Sequence, residues 1–196
     1  MSNFKGTSVS PQETEGKYAI IGAGPGGLSG AKALKEAGIA FDGFDMGNDF
    51  GGLWNITNPR STMYESAHLI SSKTTTQFSH FPMPDDTPDY PSHKLMHQYF
   101  MDYAKHFKLY DHYYFHTKVE QIEKKGEQWE VTVSNPSFGT KTYLYKGIIL
   151  ANGTLSEPNR PTFKGDYTGE VIHSSEYKKA DAVSYTHLTL PTILRV

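Results

Sequence analysis

"KYAIIGAGPGGLSGAKALKEAG", Lys17 to Gly38, decides the fold. After Lys17 its opening residues, Tyr18 to Ile21, are apolar and rich in strand formers, the pattern of a short buried strand. Gly22, Gly24 and Gly27 then match G-x-G-x-x-G. Beyond them Leu28, Ala31, Leu34 and Ala37 recur at helical spacing, and Gly38 suits the position just past a helix end. Strand, Gly-rich turn and helix in that order predict a phosphate-binding turn. Gly22 permits the tight turn, Gly24 lets a pyrophosphate approach the backbone, and Gly27 lets helix and strand pack closely. Gly26 adds a fourth residue without a side chain, and Pro25 sits in the first helical turn, where its missing N–H costs little. The N–H groups at the helix start then face the phosphates.

The next run, "IAFDGFD", predicts a second strand ending at Asp45. That is about 20 residues past the glycines, where an acidic side chain accepts ribose hydroxyls. A solvated loop acid is the competing reading of Asp45 taken alone; the preceding turn favours the ribose. Further on, "FHTKVEQIEKKGEQWEVTVSN" predicts two strands around a Gly-containing turn. "TKTYLYKGIILANG" predicts a third strand leading into a buried one. "YFMDYAKHF" carries an amphipathic helix, and its aromatics, with Tyr90, are expected in core and loop packing.

Size and composition limit the rest. The 196 residues allow one ordinary domain, or one and part of another. A formal charge of -2 without a Lys/Arg run offers nothing to a nucleic acid. No apolar stretch approaches the ~20 residues of a membrane span. The sequence has no cysteine, which excludes a disulfide scaffold, a thiol nucleophile, a thiolate metal site and a redox dithiol. A disulfide reductase of similar fold is excluded with them. His93 and His97, like His112 and His116, have helical metal-ligand spacing, but H-E-x-x-H is not matched and no metal is expected. Residues 1–16 read as a disordered polar leader with no signal-peptide centre, so a cytoplasmic location is expected.

Taken with the turn, "GNDFGGLWN" after Asp45 resembles the FAD site of the flavin-containing monooxygenases. The resemblance continues through "MYESAHLISSK", "FPMPDDTPDYP" and "YTGEVIHSSEY", where Tyr167, Gly169 and His173 fit the family's F-x-G-x-x-x-H with Tyr in place of Phe. It covers most of 17–181, and the "HSSEY" ending looks like the N- and S-oxygenating branch. It implies an α/β fold, a Rossmann-like FAD-binding domain with an inserted antiparallel β-meander. It also implies FAD and NADPH as cofactors, and O2 and a small-molecule substrate as partners; oligomeric state is not implied. In that pattern Gly52, Leu53 and Trp54 lie toward the flavin, the backbone near Val119 meets the adenine end, and Gly153 closes a strand near the cofactor. His173 would arrange the domain and not act as a base, and no catalytic acid or base is implied. One departure stands out. Animal-type enzymes place an Asn before a "TSK" segment at the flavin's reactive edge, whereas "LISSK" has Ile70 there. Either Ser71 or a neighbour takes that role, the correspondence shifts by a few residues, or oxygen held on the flavin is less well stabilised. A Baeyer–Villiger or N-hydroxylating relative is the alternative activity.

The last residues, "VSYTHLTLPTILRV", stand apart. They could form an edge strand. They also resemble a translated sequencing adapter, since one frame of a transposase-end adapter encodes V-S-Y-T-H-L-T-L-P-T, matching Val183 to Thr192 without a mismatch. The expectation is an incomplete FAD-binding domain over 17–182, a non-native tail over 183–196, and an inactive fragment as written.

Overall fold

The computed structural model describes residues 12–155 and 157–179. Its centre is a parallel four-stranded sheet, and the element order follows from the sequence patterns above. Strand β1 (Gln12–Glu13) precedes β2 (Tyr18–Ile21), helix α1 (Pro25–Glu36) and β3 (Phe41–Phe44). A short helix α2 (Lys73–Thr76) and the longer α3 (His93–His106) follow, then β4 (Tyr113–Tyr114). The meander β5 (Lys118–Lys125), β6 (Gln128–Asn135) and β7 (Gly139–Tyr145) leads into β8 (Gly147–Leu150). The parallel sheet has the order β4-β3-β2-β8, and the second sheet the order β1-β7-β6-β5.

Alternation along β2 explains the layering. Ile20 belongs to a core that includes Leu28 and Ala31 of α1 and Met96, Phe100 and Tyr103 of α3. Its neighbours Ala19 and Ile21 belong to a second core with Phe44, Val131, Val133 and Tyr145. Successive residues of a strand point to opposite faces, so β2 is covered by helices on one side and by the meander on the other. This is the α/β arrangement with an inserted antiparallel meander that the sequence implies. A buried polar link joins the layers: Asp42 on β3 accepts from Tyr145 Oη (3.0 Å) and from Lys17 Nζ (3.1 Å).

Two sequence readings meet the structure differently. Within the stretch 1–16, expected to be a disordered leader, Gln12–Glu13 instead pair in parallel with β7, Gln12 opposite Tyr143. Thr14 is buried and its hydroxyl donates to Leu144 O (2.5 Å). Ladder hydrogen bonds use only the backbone, so a polar dipeptide can serve. Residues 1–11 and the tail 183–196 lie outside the described residues.

Candidate functional site

The Gly-rich turn forms as its glycines require. Gly22 has φ of +111°, a left-handed value that side chains resist, and a Cβ there would lie 2.4 Å from Ala151 O. A Cβ on Gly27 would lie 2.0 Å from Gly22 O, so the helix start closes directly onto the turn. Gly24 is the N-cap of α1 and Pro25 follows it; no side chain caps this end. The donors of the first helical turn therefore open toward the adjoining space. Gly52, at φ +57°, approaches from the far side, where a Cβ would lie 2.8 Å from Gly24 Cα.

Between these walls lies a cavity of about 470 Å3. Nine residues singled out from the sequence line it: Gly22, Gly24, Pro25, Gly26, Asp45, Gly52, Leu53, Val119 and Gly153. They come from five separate stretches of the chain and converge at the C-terminal ends of β2, β3 and β8, where open α/β sheets place their ligands. Gly27 lies beneath the turn. Trp54 packs against the helix-side core. Ser71 is exposed, its hydroxyl bonded to Thr76 Oγ1 (2.7 Å), and does not line the cavity. Ile70 beside it is 98% exposed.

Asp45 is tied into the turn. Its Oδ2 accepts from Ala23 N (2.7 Å) and its Oδ1 from Gly47 N (2.6 Å). Burial raises its pKa above the ordinary carboxylate value, and these two hydrogen bonds oppose the shift without cancelling it. Each carboxylate oxygen keeps a second lone pair for a ligand hydroxyl. Tyr113 on β4 reinforces the same turn. Its hydroxyl lies 3.3 Å from Gly22 O, and burial, followed by the Asp45 charge, pushes its pKa up.

The loop after the short helical turn Gly52–Trp54 brings in residues that carry no periodic signal. Asn55 is buried, and its side chain bonds Asn48 Oδ1 (2.8 Å) and Thr57 N (3.1 Å). This folds the chain so that Asn58 and Arg60 line the cavity. Asn58 Oδ1 accepts from Arg60 N (3.1 Å). A Cβ on Gly47 would meet both Asn58 Nδ2 (2.7 Å) and Asp45 Oδ1 (2.9 Å), so amide and acid share one side of that glycine. Met46, Lys118 and Asn152 also line the cavity without having been singled out; each adjoins a residue that was.

The histidine pairs are spent on structure. His97 Nε2 lies 2.9 Å from Phe50 O, and His93 is 2% exposed. His112 stacks on Phe41 at 4.7 Å. Among the described residues no group of three or more His, Cys, Asp or Glu could hold a metal ion. His173 caps a short helical turn, Ser174–Glu176: its Nδ1 accepts from Ser175 N (3.2 Å) and Glu176 accepts from His173 N (2.7 Å).

The family described as "Flavin-binding monooxygenase-like" matches residues 15–190, nearly the whole described chain and past the Ala182 boundary drawn from the sequence. The chain belongs to this family. It is 32% identical to Flavin-containing monooxygenase 1 of Homo sapiens, the match covering 84% of this chain and 33% of that protein. Among solved structures, the S-allyl-L-cysteine S-oxygenase of Allium sativum superposes with a TM-score of 0.76 at 21% identity, over 90% of this chain and 44% of that one. Cyclohexanone monooxygenase from Rhodococcus sp. Phi1, bound to NADP+, gives 0.64 at 27% identity, over 85% and 31%. The chain thus spans about a third of the length of the curated relatives it matches.

Proposed function

We propose that this chain is the FAD-binding portion of an NADPH-dependent flavin monooxygenase that oxygenates soft nitrogen or sulfur nucleophiles. The observation that carries the reading is the cavity at the Gly-rich turn with the Asp45 carboxylate at its edge. The residues present fit the cofactor. A Cβ at Gly22 or Gly52 would strike the backbone of the opposite wall, so the glycines keep the cradle narrow where a pyrophosphate would lie. The uncapped start of α1 supplies donors to that anion. Asp45 would accept ribose hydroxyls, and its charge disfavours a 2′-phosphate. That combination favours FAD over NADPH at this turn. Leu53 would pack on the ligand's apolar part. When bound, the flavin supplies the redox and oxygen-transfer chemistry. This chain binds and orients it.

NADPH would bind a second Gly-rich unit in the part of the relatives that this chain does not span. The 196-residue chain is therefore expected to bind FAD weakly and to oxidise no NADPH. Expressing it with FAD and NADPH tests this; stoichiometric flavin with NADPH oxidation overturns the fragment reading. Amplifying the gene from source DNA across codon 182 tests the tail. Reading into an apolar strand and another Gly-rich turn supports the adapter origin of 183–196, and genomic DNA encoding "VSYTHLTLPTILRV" and a stop refutes it. The relatives include both a flavin-containing monooxygenase and a cyclohexanone monooxygenase. Amine and sulfide turnover by the full-length enzyme, against ketone turnover, separates the proposed activity from the Baeyer–Villiger alternative.

A further inference from the structure

The cavity holds a cation that neither the Gly-rich turn nor the acid at its edge requires. Arg60 reaches it from the Asn55–Ser61 loop, opposite the segment that leaves β8. Its guanidinium is tied across that gap, with Nη2 3.1 Å from Glu157 Oε1. Glu157 lies two positions past Leu155, the last residue of the Ala151–Leu155 stretch that lines the same cavity. The pair therefore ties the Arg60 loop to the chain just beyond that stretch. It is a weak tie, because the two side chains are 42% and 78% exposed, and ion pairs in water are screened and contribute little. The other cation of the lining, Lys118, is held by Glu120 on its own strand at 2.6 Å. Arg60 is thus the cation of the lining whose partner comes from a distant, exposed part of the chain and can be exchanged.

We propose that Arg60 is a phosphate-binding residue of this site, and that Glu157 occupies its guanidinium until the ligand's pyrophosphate displaces it. The chemistry favours the exchange. A guanidinium offers paired donors that match two phosphate oxygens, and a doubly charged pyrophosphate outcompetes a single exposed carboxylate. The turn supplies backbone donors and a helix end but no formal charge, so Arg60 provides the charge neutralisation that these lack. This proposal rests on the nucleotide-site reading above.

The test is titration of the 196-residue chain with adenosine, ADP and FAD, in the unmutated form and in Arg60→Gln and Glu157→Gln. Arg60→Gln is expected to weaken ADP binding by roughly tenfold or more, the scale of one lost charge-assisted phosphate contact, while leaving adenosine within about twofold. Glu157→Gln is expected to tighten ADP severalfold at low ionic strength and to lose that advantage in high salt. Arg60→Gln weakening adenosine and ADP equally, or neither, overturns the phosphate role. A selective Arg60→Gln effect with an inert Glu157→Gln overturns the displacement half. If the unmutated chain binds neither adenosine nor ADP, the nucleotide-site reading itself fails and this proposal falls with it.

Discussion

Gly27→Ala and Gly30→Ala make the same chemical change three residues apart in α1, yet the structure predicts opposite outcomes. An alanine inside a helix is ordinarily favoured over glycine by up to about 1 kcal/mol. At position 30 the new methyl would lie 3.4 Å from Ile149 Cδ1 and 3.5 Å from its Cγ2, the ends of a flexible side chain. That is close to ordinary contact, so Gly30→Ala should stabilise by about 0.5–1 kcal/mol. At position 27 the methyl would lie 2.0 Å from Gly22 O, 2.9 Å from Gly22 C and 3.1 Å from Tyr113 Oη. Reaching a contact of roughly 3.5 Å means moving the backbone of the turn by about 1.5 Å. Overpacking of this kind costs typically 1–3 kcal/mol, and a backbone obstacle belongs at the upper end. After the propensity gain is subtracted, Gly27→Ala should lose about 2 kcal/mol. With ~2–4 °C per kcal/mol for a chain of this size, the two variants should melt on opposite sides of the parent. Thermal and urea unfolding read this directly, and ADP titration should show affinity falling only for Gly27→Ala. Equal stability of the two variants would refute the close approach of helix and turn.

Asp45 and Tyr145 give further tests. Burial holds the Asp45 carboxyl above its ordinary value of 3.8, so on acidification it protonates before a free aspartate would and gives up an acceptor. ADP affinity should weaken as the pH falls toward the ordinary aspartate value, sooner than a free carboxylate would allow, while Asp45→Asn should bind weakly with a flat profile; matching acid profiles would sink this assignment. For stability the sign is the reverse: a raised folded pKa contributes most in acid, and that contribution is lost as pH rises through the folded value. Tyr145→Phe removes a buried donor to Asp42. It should cost about 1.5–3 kcal/mol, the range for a hydrogen bond to a charged group, and a loss under 0.5 kcal/mol in urea unfolding would show that Asp42 finds another partner.

The parts of this fold that repeat locally were legible in the sequence. β2, α1 and β3 follow from apolar periodicity, glycine placement and an acid at the right distance, and β5, β6 and β7 from alternation around Gly126 and Gly139. Of the nine cavity residues, Gly22, Gly24, Pro25, Gly26 and Asp45 were legible for the same reason, whereas Gly52, Leu53, Val119 and Gly153 came only from the resemblance to the family. Asn58 and Arg60 were not. They reach the cavity because Asn48, Asn55 and Thr57 hydrogen-bond to one another and fold the loop back, and such a polar loop has no period to read. The β1–β7 pairing was hidden for a different reason: its partners are about 130 residues apart, and a backbone ladder places no demand on the side chains of a polar dipeptide. Family resemblance pointed to Ser71 and Trp54, but position in a motif does not fix which way a side chain turns, and here one faces outward and the other packs inward.

The contact between Gly22 and Ala151 sets a timetable for synthesis. The turn leaves the ribosome early, yet the carbonyl that closes against Gly22 belongs to a residue about 130 positions later, which at ~5–20 residues per second takes roughly 6–26 s to follow. Until then β2 lacks its β8 neighbour and the cavity lacks a wall. A nucleotide cannot serve as a nucleus for this chain as it emerges; it can only fasten a sheet already closed, which makes ligand capture a late event in the life of the nascent polypeptide.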